Sequence, residues 1–350
     1  MYEFTETRMK QLLLESTEFR DLLIAWFLGH GRKLPWRQTT NPYCILVSEL
    51  MLQQTQVSTV VGYYRRWIER FPTVEALASA SEPEVLRAWQ GLGYYARARN
   101  LHRCAKVVVQ NCGGEFPTSV DQLMQLPGVG RYTAGAIASF AFDQCVGIVD
   151  SNVARVLSRL IDLRQAVDSS AGERTVWKWA EKLVQCDQPR LFNSALMELG
   201  AMVCRPRKPR CTLCPVRRYC RATDPGSLPR KKPRPKIEER QEDYFWIFQQ
   251  DRILLQQRSG QRWRGLWTLP PAESRPVAGP PLAAVDHPVT RFLIKLRVFR
   301  GELPVSLGEG MRWHPIAHLD ELPMPSPHRR AVQRVLESES CCRASGSGAA

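Results

Sequence analysis

Four cysteines fall within seventeen residues of the chain, in CRPRKPRCTLCPVRRYC, residues 204 to 220. Their spacing is C-x6-C-x2-C-x5-C, at Cys204, Cys211, Cys214 and Cys220. A segment this short and this polar has no core in which to hide four thiols, so the pattern points to ligands. Four thiolates can hold a tetrahedral zinc ion or a 4Fe–4S cluster. Zinc ribbons pair two C-x2-C hooks across a longer gap, and here one hook is present, which favours the cluster. The same loop carries Arg205, Arg207, Lys208, Arg210, Arg217 and Arg218. Ligation would give those charges a rigid frame, and a rigid basic loop suits phosphates, with affinity that falls as salt rises.

The charge of the whole chain agrees. Its 49 Lys and Arg against 34 Asp and Glu leave a formal net charge of +15 at neutral pH. That imbalance implies a polyanionic partner, nucleic acid first among them. At 350 residues with 44% hydrophobic content, the chain is long enough for two domains with real cores. Eleven cysteines, an odd number, include Cys44, Cys104, Cys145 and Cys186 standing alone in helical-looking sequence. A secreted protein rarely leaves so many unpaired. The start, MYEFTETRMK, lacks an apolar signal core, and no run of 18 apolar residues is present. These features predict a chain with no membrane span in a reducing compartment: the bacterial cytoplasm, associated with the nucleoid.

Apolar residues recur at helical spacing from about residue 10 to 221, as in SELMLQQTQVSTVVGYYRRWIERF and ERTVWKWAEKLVQ, with short Gly/Pro interruptions. This part predicts an all-α domain of roughly ten helices that ends at the cysteine loop. Residues 222–243 are rich in proline and charge and read as a linker. Beyond them, DYFWIFQQDRILLQQR suggests two strands joined by a tight turn near Gln250-Asp251, RFLIKLRVFRGEL a further strand, and HRRAVQRVLESES a helix. Residues 244–340 therefore predict a smaller α+β domain, and 341–350 a disordered tail.

Two stretches in the helical part carry chemistry. LPGVGRYTAGAIASFAF, residues 126–142, approaches a Gly-x-Gly turn and runs into a helix of small residues. Gly128 and Gly130 open backbone shapes closed to other residues. The turn's N–H groups beside a helix start form an anion site, the pattern of a helix–hairpin–helix that grips a DNA phosphate without reading sequence. An ordinary interhelical turn is the plainer alternative. Twenty residues on, Asp150 precedes SNVARVLSRL, where its plainest role is a helix N-cap. Glu49 sits in VSELMLQQ among Val47, Leu50, Met51 and Leu52, neighbours that would desolvate it and raise its pKa.

LPGVG-R, an Asp before N-V-x-R-V, and C-x6-C-x2-C-x5-C together resemble the endonuclease III-like superfamily of DNA glycosylases, helix–hairpin–helix enzymes with an iron–sulfur loop. Within it, SELMLQQTQV (48–57) and GLGYYARARNLH (91–102) are similar to adenine DNA glycosylases of the MutY type. The resemblance covers about residues 20–220; the linker and WRGLWTLP (263–270) fit a Nudix-like second domain that helps recognise 8-oxoguanine. It implies removal of adenine mispaired with 8-oxoguanine or guanine from double-stranded DNA, in base excision repair, by a monomer carrying a 4Fe–4S cluster on Cys204, Cys211, Cys214 and Cys220. It also implies base flipping, because the glycosidic bond is out of reach inside a stacked duplex.

Breaking that bond builds positive charge on the sugar and negative charge on the leaving base, so an acid for the base and an anion for the sugar lower the barrier. The resemblance makes Glu49 the general acid and Asp150 the anion, with Tyr94 near the sugar and Asn152 supporting Asp150. It puts Gln53 and Gln54 in a wedge against the opposite strand, and Trp36, Arg37 and Glu198 around the adenine. Bifunctional relatives carry Lys directly after the hairpin's Arg; here Tyr132 stands there, which implies a monofunctional enzyme. Where the family has a Phe-Ser-His loop to read 8-oxoguanine, this chain has Val289-Thr290-Arg291, leaving Thr290 as the hydrogen-bonding group. No Glu-rich Mg²⁺ motif lies between residues 264 and 300, so a binding fold is expected rather than a pyrophosphatase. Two rivals remain open: a thymine- or uracil-mismatch glycosylase on the same scaffold, and a zinc-holding DNA-binding protein in which Glu49 is a surface residue and Asp150 only a cap.

Overall fold

The computed structural model describes residues 16–233, 235–260, 262–272, 277–289 and 291–346, the last seven by backbone alone. The helices in chain order are α1 (Ser16–His30), α2 (Pro42–Leu52), α3 (Val57–Arg70), α4 (Val74–Ser79), α5 (Glu82–Ala88), α6 (Ala96–Cys112), α7 (Val120–Leu123), α8 (Arg131–Phe142), α9 (Ser151–Leu160), α10 (Ser170–Leu183), α11 (Pro189–Met202) and α12 (Ser326–Gly346). The chain forms two compact units. One joins the described residues through Ser79 to Asn100–Pro233; the other joins Ala80–Arg99 to the described residues from 235 onward. The helical stretch that periodicity suggests as one continuous domain is therefore divided. Segment 80–99, with α5 and the first turn of α6, belongs with the C-terminal part.

The first unit is all-α among its described residues, as its apolar spacing predicts. Caps set its helix starts. Asn41 accepts from the backbone N–H of Tyr43 and Cys44, with Pro42 in the first helical position, so α2 begins there. Asp150 caps α9 and Ser169 caps α10 through the N–H groups of Val153 and Gly172. One core gathers Phe19 and Leu23 of α1, Val153 and Leu157 of α9, Trp179 of α10, and Phe192 and Leu196 of α11. α2 is different in kind: every residue from Ile45 to Met51 is buried. A helix enclosed all round offers a carboxylate no solvent face, and Glu49 rides on it.

The second unit holds β1 (Glu238–Trp246), β2 (Phe248–Gln249), β3 (Arg252–Gln257), β4 (Trp267–Thr268), β5 (Ala283–Val289), β6 (Phe292–Arg300) and β7 (Met311–Pro315), followed by α12. The expected turn is present: β2 and β3 pair antiparallel across Gln250-Asp251, with Gln249 opposite Arg252. The expected strand at 292–300 and the C-terminal helix are also present. Local patterning left the pairing open. β6 lies between β5, its antiparallel neighbour, and β1, to which it runs parallel from Glu238–Phe292 to Trp246–Arg300. β3 is flanked by β2, β4 and β7 in the second sheet. Tyr244, Trp246, Leu296 and Val298 pack with Val332 and Val335 of α12. That helix continues to Gly346, into the stretch that composition marks as tail.

Segment 80–99 has its own anchors within the second unit. Ser81 and Glu84 form a capping box at the start of α5. The Tyr95 hydroxyl donates to the Met324 carbonyl at 3.3 Å. A Cβ on Gly265 would meet Leu86 at 3.6 Å, so that glycine rests against α5.

Candidate active site

A cavity of about 880 Å³ opens in the first unit, and it gathers residues from α2, α8, α9 and α11. Glu49 from α2, Tyr132 from α8, and Asp150 with Asn152 at the start of α9 all line it. Glu49 is 4% exposed. Burial pushes its carboxyl up to about 7, against the Tyr132 hydrogen bond, and the negative charge of Asp150 adds to the rise. The Tyr132 hydroxyl donates to Glu49 Oε2 at 2.7 Å. Burial and the two nearby carboxyls hold that phenol far above its ordinary range, so it stays a donor.

Asp150 differs in its partners. Burial is the largest influence here too and leaves its pKa raised, while the hydrogen bonds from Val153 and Asn152 and the charge of Arg155 pull it back toward the anion. Its Oδ1 accepts from the Val153 N–H at 2.7 Å and its Oδ2 from Asn152 Nδ2 at 2.7 Å. The Asn152 amide oxygen in turn accepts from Arg155 Nη2 at 2.8 Å. Two carboxyls thus share one cavity, both desolvated, and only Asp150 has donors on both of its oxygens to favour the charged form. Asp150 is indeed the N-cap of α9; capping and lining the cavity are the same geometry, since an N-cap carboxylate sits at the helix mouth.

At the far wall lies Glu198 of α11, fully buried. It accepts from Arg32 Nε at 2.7 Å, Arg32 Nη2 at 2.8 Å, the Arg32 backbone N–H at 2.9 Å and Arg37 Nη2 at 2.9 Å. Burial alone would raise this carboxyl, but the two guanidiniums overcome it and hold the group at about 2. Trp36, Arg37, Gln53 and Gln54 line the same cavity. Trp36 stands edge-on to Tyr64 at 5.5 Å between ring centroids, and Gln54 takes a left-handed backbone, φ 56°.

Three further features lie outside the cavity's lining. α7 and α8 flank the turn at 126–130. Gly128 has φ +77°, and a Cβ there would fall 2.5 Å from Asn100 Cβ, so glycine is required twice over. Gly130 departs from expectation. It is the N-cap of α8 at φ −94°, an extended shape open to any residue. A Cβ there would meet nothing within 4 Å. Tyr94 belongs to the second unit, 52% exposed and in a left-handed conformation, φ 48°. Thr290 lies outside the described residues, though its neighbours Val289 and Arg291 border the turn between β5 and β6.

In the cysteine loop, Cys204, Cys211, Cys214 and Cys220 are free thiols. Each of Cys214 and Cys220 senses the charge of its partners in the loop. Among the described residues no three Cys, His, Asp or Glu groups are arranged around a single metal ion. Arg159, 1% exposed, clamps the loop: it donates to Cys204 Sγ at 3.2 Å, to the Arg205 carbonyl at 2.8 Å and to the Pro206 carbonyl at 3.1 Å. Arg159 thus directs a cation at the Cys204 sulfur, within the loop that the sequence marks for a cluster.

Residues 47–182 match the family described as HhH-GPD superfamily base excision DNA repair protein. A curated adenine DNA glycosylase from Mus musculus is 47% identical over 235 residues, 64% of this chain and 46% of that protein. Another, from Mycolicibacterium smegmatis (strain ATCC 700084 / mc(2)155), is 45% identical over 205 residues, 58% of this chain and 69% of that protein. The chain belongs to the adenine DNA glycosylase family. It spans less than half the length of the first mammalian members it matches, 46% in mouse and rat and 40% in human. A solved structure of a thermostable thymine-DNA glycosylase is similar, with TM-score 0.54 and 29% identity over 59% of this chain and 95% of that one.

For an adenine DNA glycosylase family member, the sequence motifs left several of the site's residues unnamed. Arg32 supplies most of the grip on Glu198, yet GHGRKLPWR shows it only as one more basic residue five places before Arg37. Arg190 Nη2 donates to the Thr39 carbonyl at 2.7 Å, and its backbone N–H to Asp143 Oδ1 at 3.1 Å, tying α11 to two loops of the cavity. Arg155 lies inside the motif N-V-x-R-V. Its guanidinium reaches Asn152, the Gly200 carbonyl at 2.8 Å and the Cys204 carbonyl at 2.8 Å, linking Asp150's support to the cysteine loop. A helical wheel of α9 places Arg155 on the face of its buried neighbours, and that is the signal the sequence offers. Among the described residues no helix is long and apolar enough to cross a membrane.

Proposed function

We propose that this protein hydrolyses the N-glycosidic bond of adenine mispaired with 8-oxoguanine or guanine in double-stranded DNA, without cutting the strand. One observation carries the reading: Glu49 and Asp150 line a single cavity, the first with its pKa pushed up to about 7 and accepting from Tyr132, the second with donors on both of its carboxylate oxygens. The everted adenosine enters that cavity between Trp36 and the Arg32–Arg37–Glu198 cluster. Glu49, neutral below about pH 7, gives its proton to the adenine as the C1′–N9 bond breaks. The departing base takes the bonding electrons, and the sugar is left cationic at C1′. Asp150, whose anion the Val153 and Asn152 donors and Arg155 favour against burial, stabilises that cation until water adds. Tyr132 orients Glu49 and keeps its second oxygen occupied. Tyr132 also stands where a lysine would form a Schiff base, so that position offers no amine nucleophile to open the strand.

Cys204, Cys211, Cys214 and Cys220 would hold a 4Fe–4S cluster, which when bound supplies a rigid anionic anchor for the basic loop. That loop, with the Gly128 turn and α8's N-terminus, would grip phosphates without reading sequence. Gln53 and Gln54, which line the cavity, suit the opposite strand. Thr290 would read the 8-oxoguanine, in a second domain of Nudix-like type acting as part of a monomer.

The test is base release from duplexes with adenine opposite 8-oxoguanine, guanine and thymine, and with thymine or uracil opposite guanine, at single turnover. Adenine alone should be freed, fastest opposite 8-oxoguanine, and Glu49→Gln should abolish release while duplex binding persists. Release of thymine instead, or undiminished release by Glu49→Gln, refutes the assignment. Iron and inorganic sulfide in equal amounts, with no zinc, check the cluster.

A further inference from the structure

Two cysteines that the proposed chemistry does not use lie against each other beside the site. Cys145 sits in the segment that runs from the end of α8 to Asp150, and Cys186 in the turn between α10 and α11. They are 41 residues apart in sequence, yet the Cys145 thiol donates to the Cys186 carbonyl at 3.3 Å. The Cys186 thiol also senses the charge of Cys145. The segments are already joined by weaker ties. Gln185 Nε2 donates to the Cys145 carbonyl at 3.5 Å, and Asn193 Nδ2 to the Val146 carbonyl at 2.9 Å. Cys145 is exposed and Cys186 half-buried.

We propose that Cys145 and Cys186 form a reversible disulfide under peroxide, stapling the segment that leads to Asp150 onto the α10–α11 turn. The Cys145 sulfur already touches the Cys186 backbone, and a disulfide requires the two Cα atoms to stand within about 4.4–6.8 Å. Cys104 and Cys112, eight residues apart along one helix, stand about 12 Å apart in rise, beyond bonding reach. Cys145, the accessible member, reacts first. Its sulfur attacks one peroxide oxygen, an S–O bond forms and the O–O bond breaks. The released hydroxide leaves as water with the thiol proton, giving a sulfenic acid. The Cys186 sulfur then attacks that sulfur; the S–S bond forms, the S–O bond breaks, and a second water carries off the Cys186 proton. Two thiols and one hydrogen peroxide become one disulfide and two waters. A dithiol reductant reverses the step. The inference does not depend on which base the cavity accepts.

The experiment uses the full holoprotein. It is treated with hydrogen peroxide, free thiols are alkylated, and trypsin peptides are mapped without reduction. Residues 132–155 and 183–190 are tryptic peptides with one cysteine each. The expected product is these two peptides joined, lighter than their sum by two hydrogens, lost on dithiothreitol treatment and absent from Cys145→Ser and Cys186→Ser. The linked protein should melt a few degrees above its reduced form, with no such shift in either serine variant. Recovery of Cys145 as free thiol or as sulfinic or sulfonic acid overturns the proposal. So does linkage of 132–155 to any other cysteine peptide, or a linked form that melts no higher than the reduced one.

Discussion

Glu49 and Asp150 differ by what surrounds them rather than by what they are, and each difference is measurable. Glu49 moves from 4.5 to about 7 on folding. The folded state therefore binds its proton more tightly. That stabilisation is complete below about pH 4.5 and is lost as pH rises through about 7, a difference on the order of 3 kcal/mol above it. Glu49→Gln should therefore unfold at higher denaturant than the parent at pH 8, with the gap closing at pH 5. In the proposed reaction the same proton is the reagent, so excision should decline as pH rises beyond about 7. Loss of a general acid costs roughly 100- to 10,000-fold, which single-turnover rates of Glu49→Gln would read. Asp150→Asn separates capping from charge. Asn caps about as well as Asp, so stability should change by less than about 1 kcal/mol while excision collapses. Unchanged excision would leave Asp150 as a cap alone. Glu198→Gln leaves the half-buried Arg32 and Arg37 guanidiniums without their carboxylate, and about 1–3 kcal/mol of stability should go with it in urea titrations.

Among the elements, α2 and the turn before α8 do the positioning. The run CILVSELML carries a Glu inside continuous apolar sequence, and that alone announces a desolvated carboxyl. The turn was half legible. Its glycines look equivalent in LPGVG, but only Gly128 has a positive φ and a close neighbour. Gly128→Ala should cost on the order of 1–3 kcal/mol in stability and weaken duplex binding in fluorescence anisotropy, because the strained turn and Asn100 must both move. Gly130→Ala should fold like the parent, as nothing stands where its Cβ would be.

At the scale of the molecule, the division of the chain was the least readable feature. Periodicity is a local signal and reports α5 and α6 as two more helices of a bundle. Which unit a helix joins depends on partners more than 200 residues away, such as Met324 for Tyr95. Removing residues from 234 onward should therefore loosen segment 80–99. Amide exchange in that segment should speed by at least tenfold while the core around Phe19 and Phe192 keeps its protection. Equal protection in the shortened protein would mean that segment 80–99 does not need the second unit. The parallel pairing of β1 with β6 was hidden for the same reason, since a strand's own alternation does not say which strand lies beside it.

Residue types at fixed intervals were enough to suggest the proposed chemistry: four cysteines in a short basic loop, a glycine turn ahead of a small-residue helix, a glutamate in apolar surroundings and an aspartate at a helix start. Those features are local, and local sequence determines caps, turns and the solvent a side chain can expect. The tertiary structure alone decided that Glu49 and Asp150, 101 residues apart along the chain, would share a cavity with Tyr132. It also decided that Arg32 would neutralise Glu198 across the fold, and that Cys145 would come to rest on Cys186. Burial and Coulomb interactions depend on distances in space, and only the packing of the helices sets them.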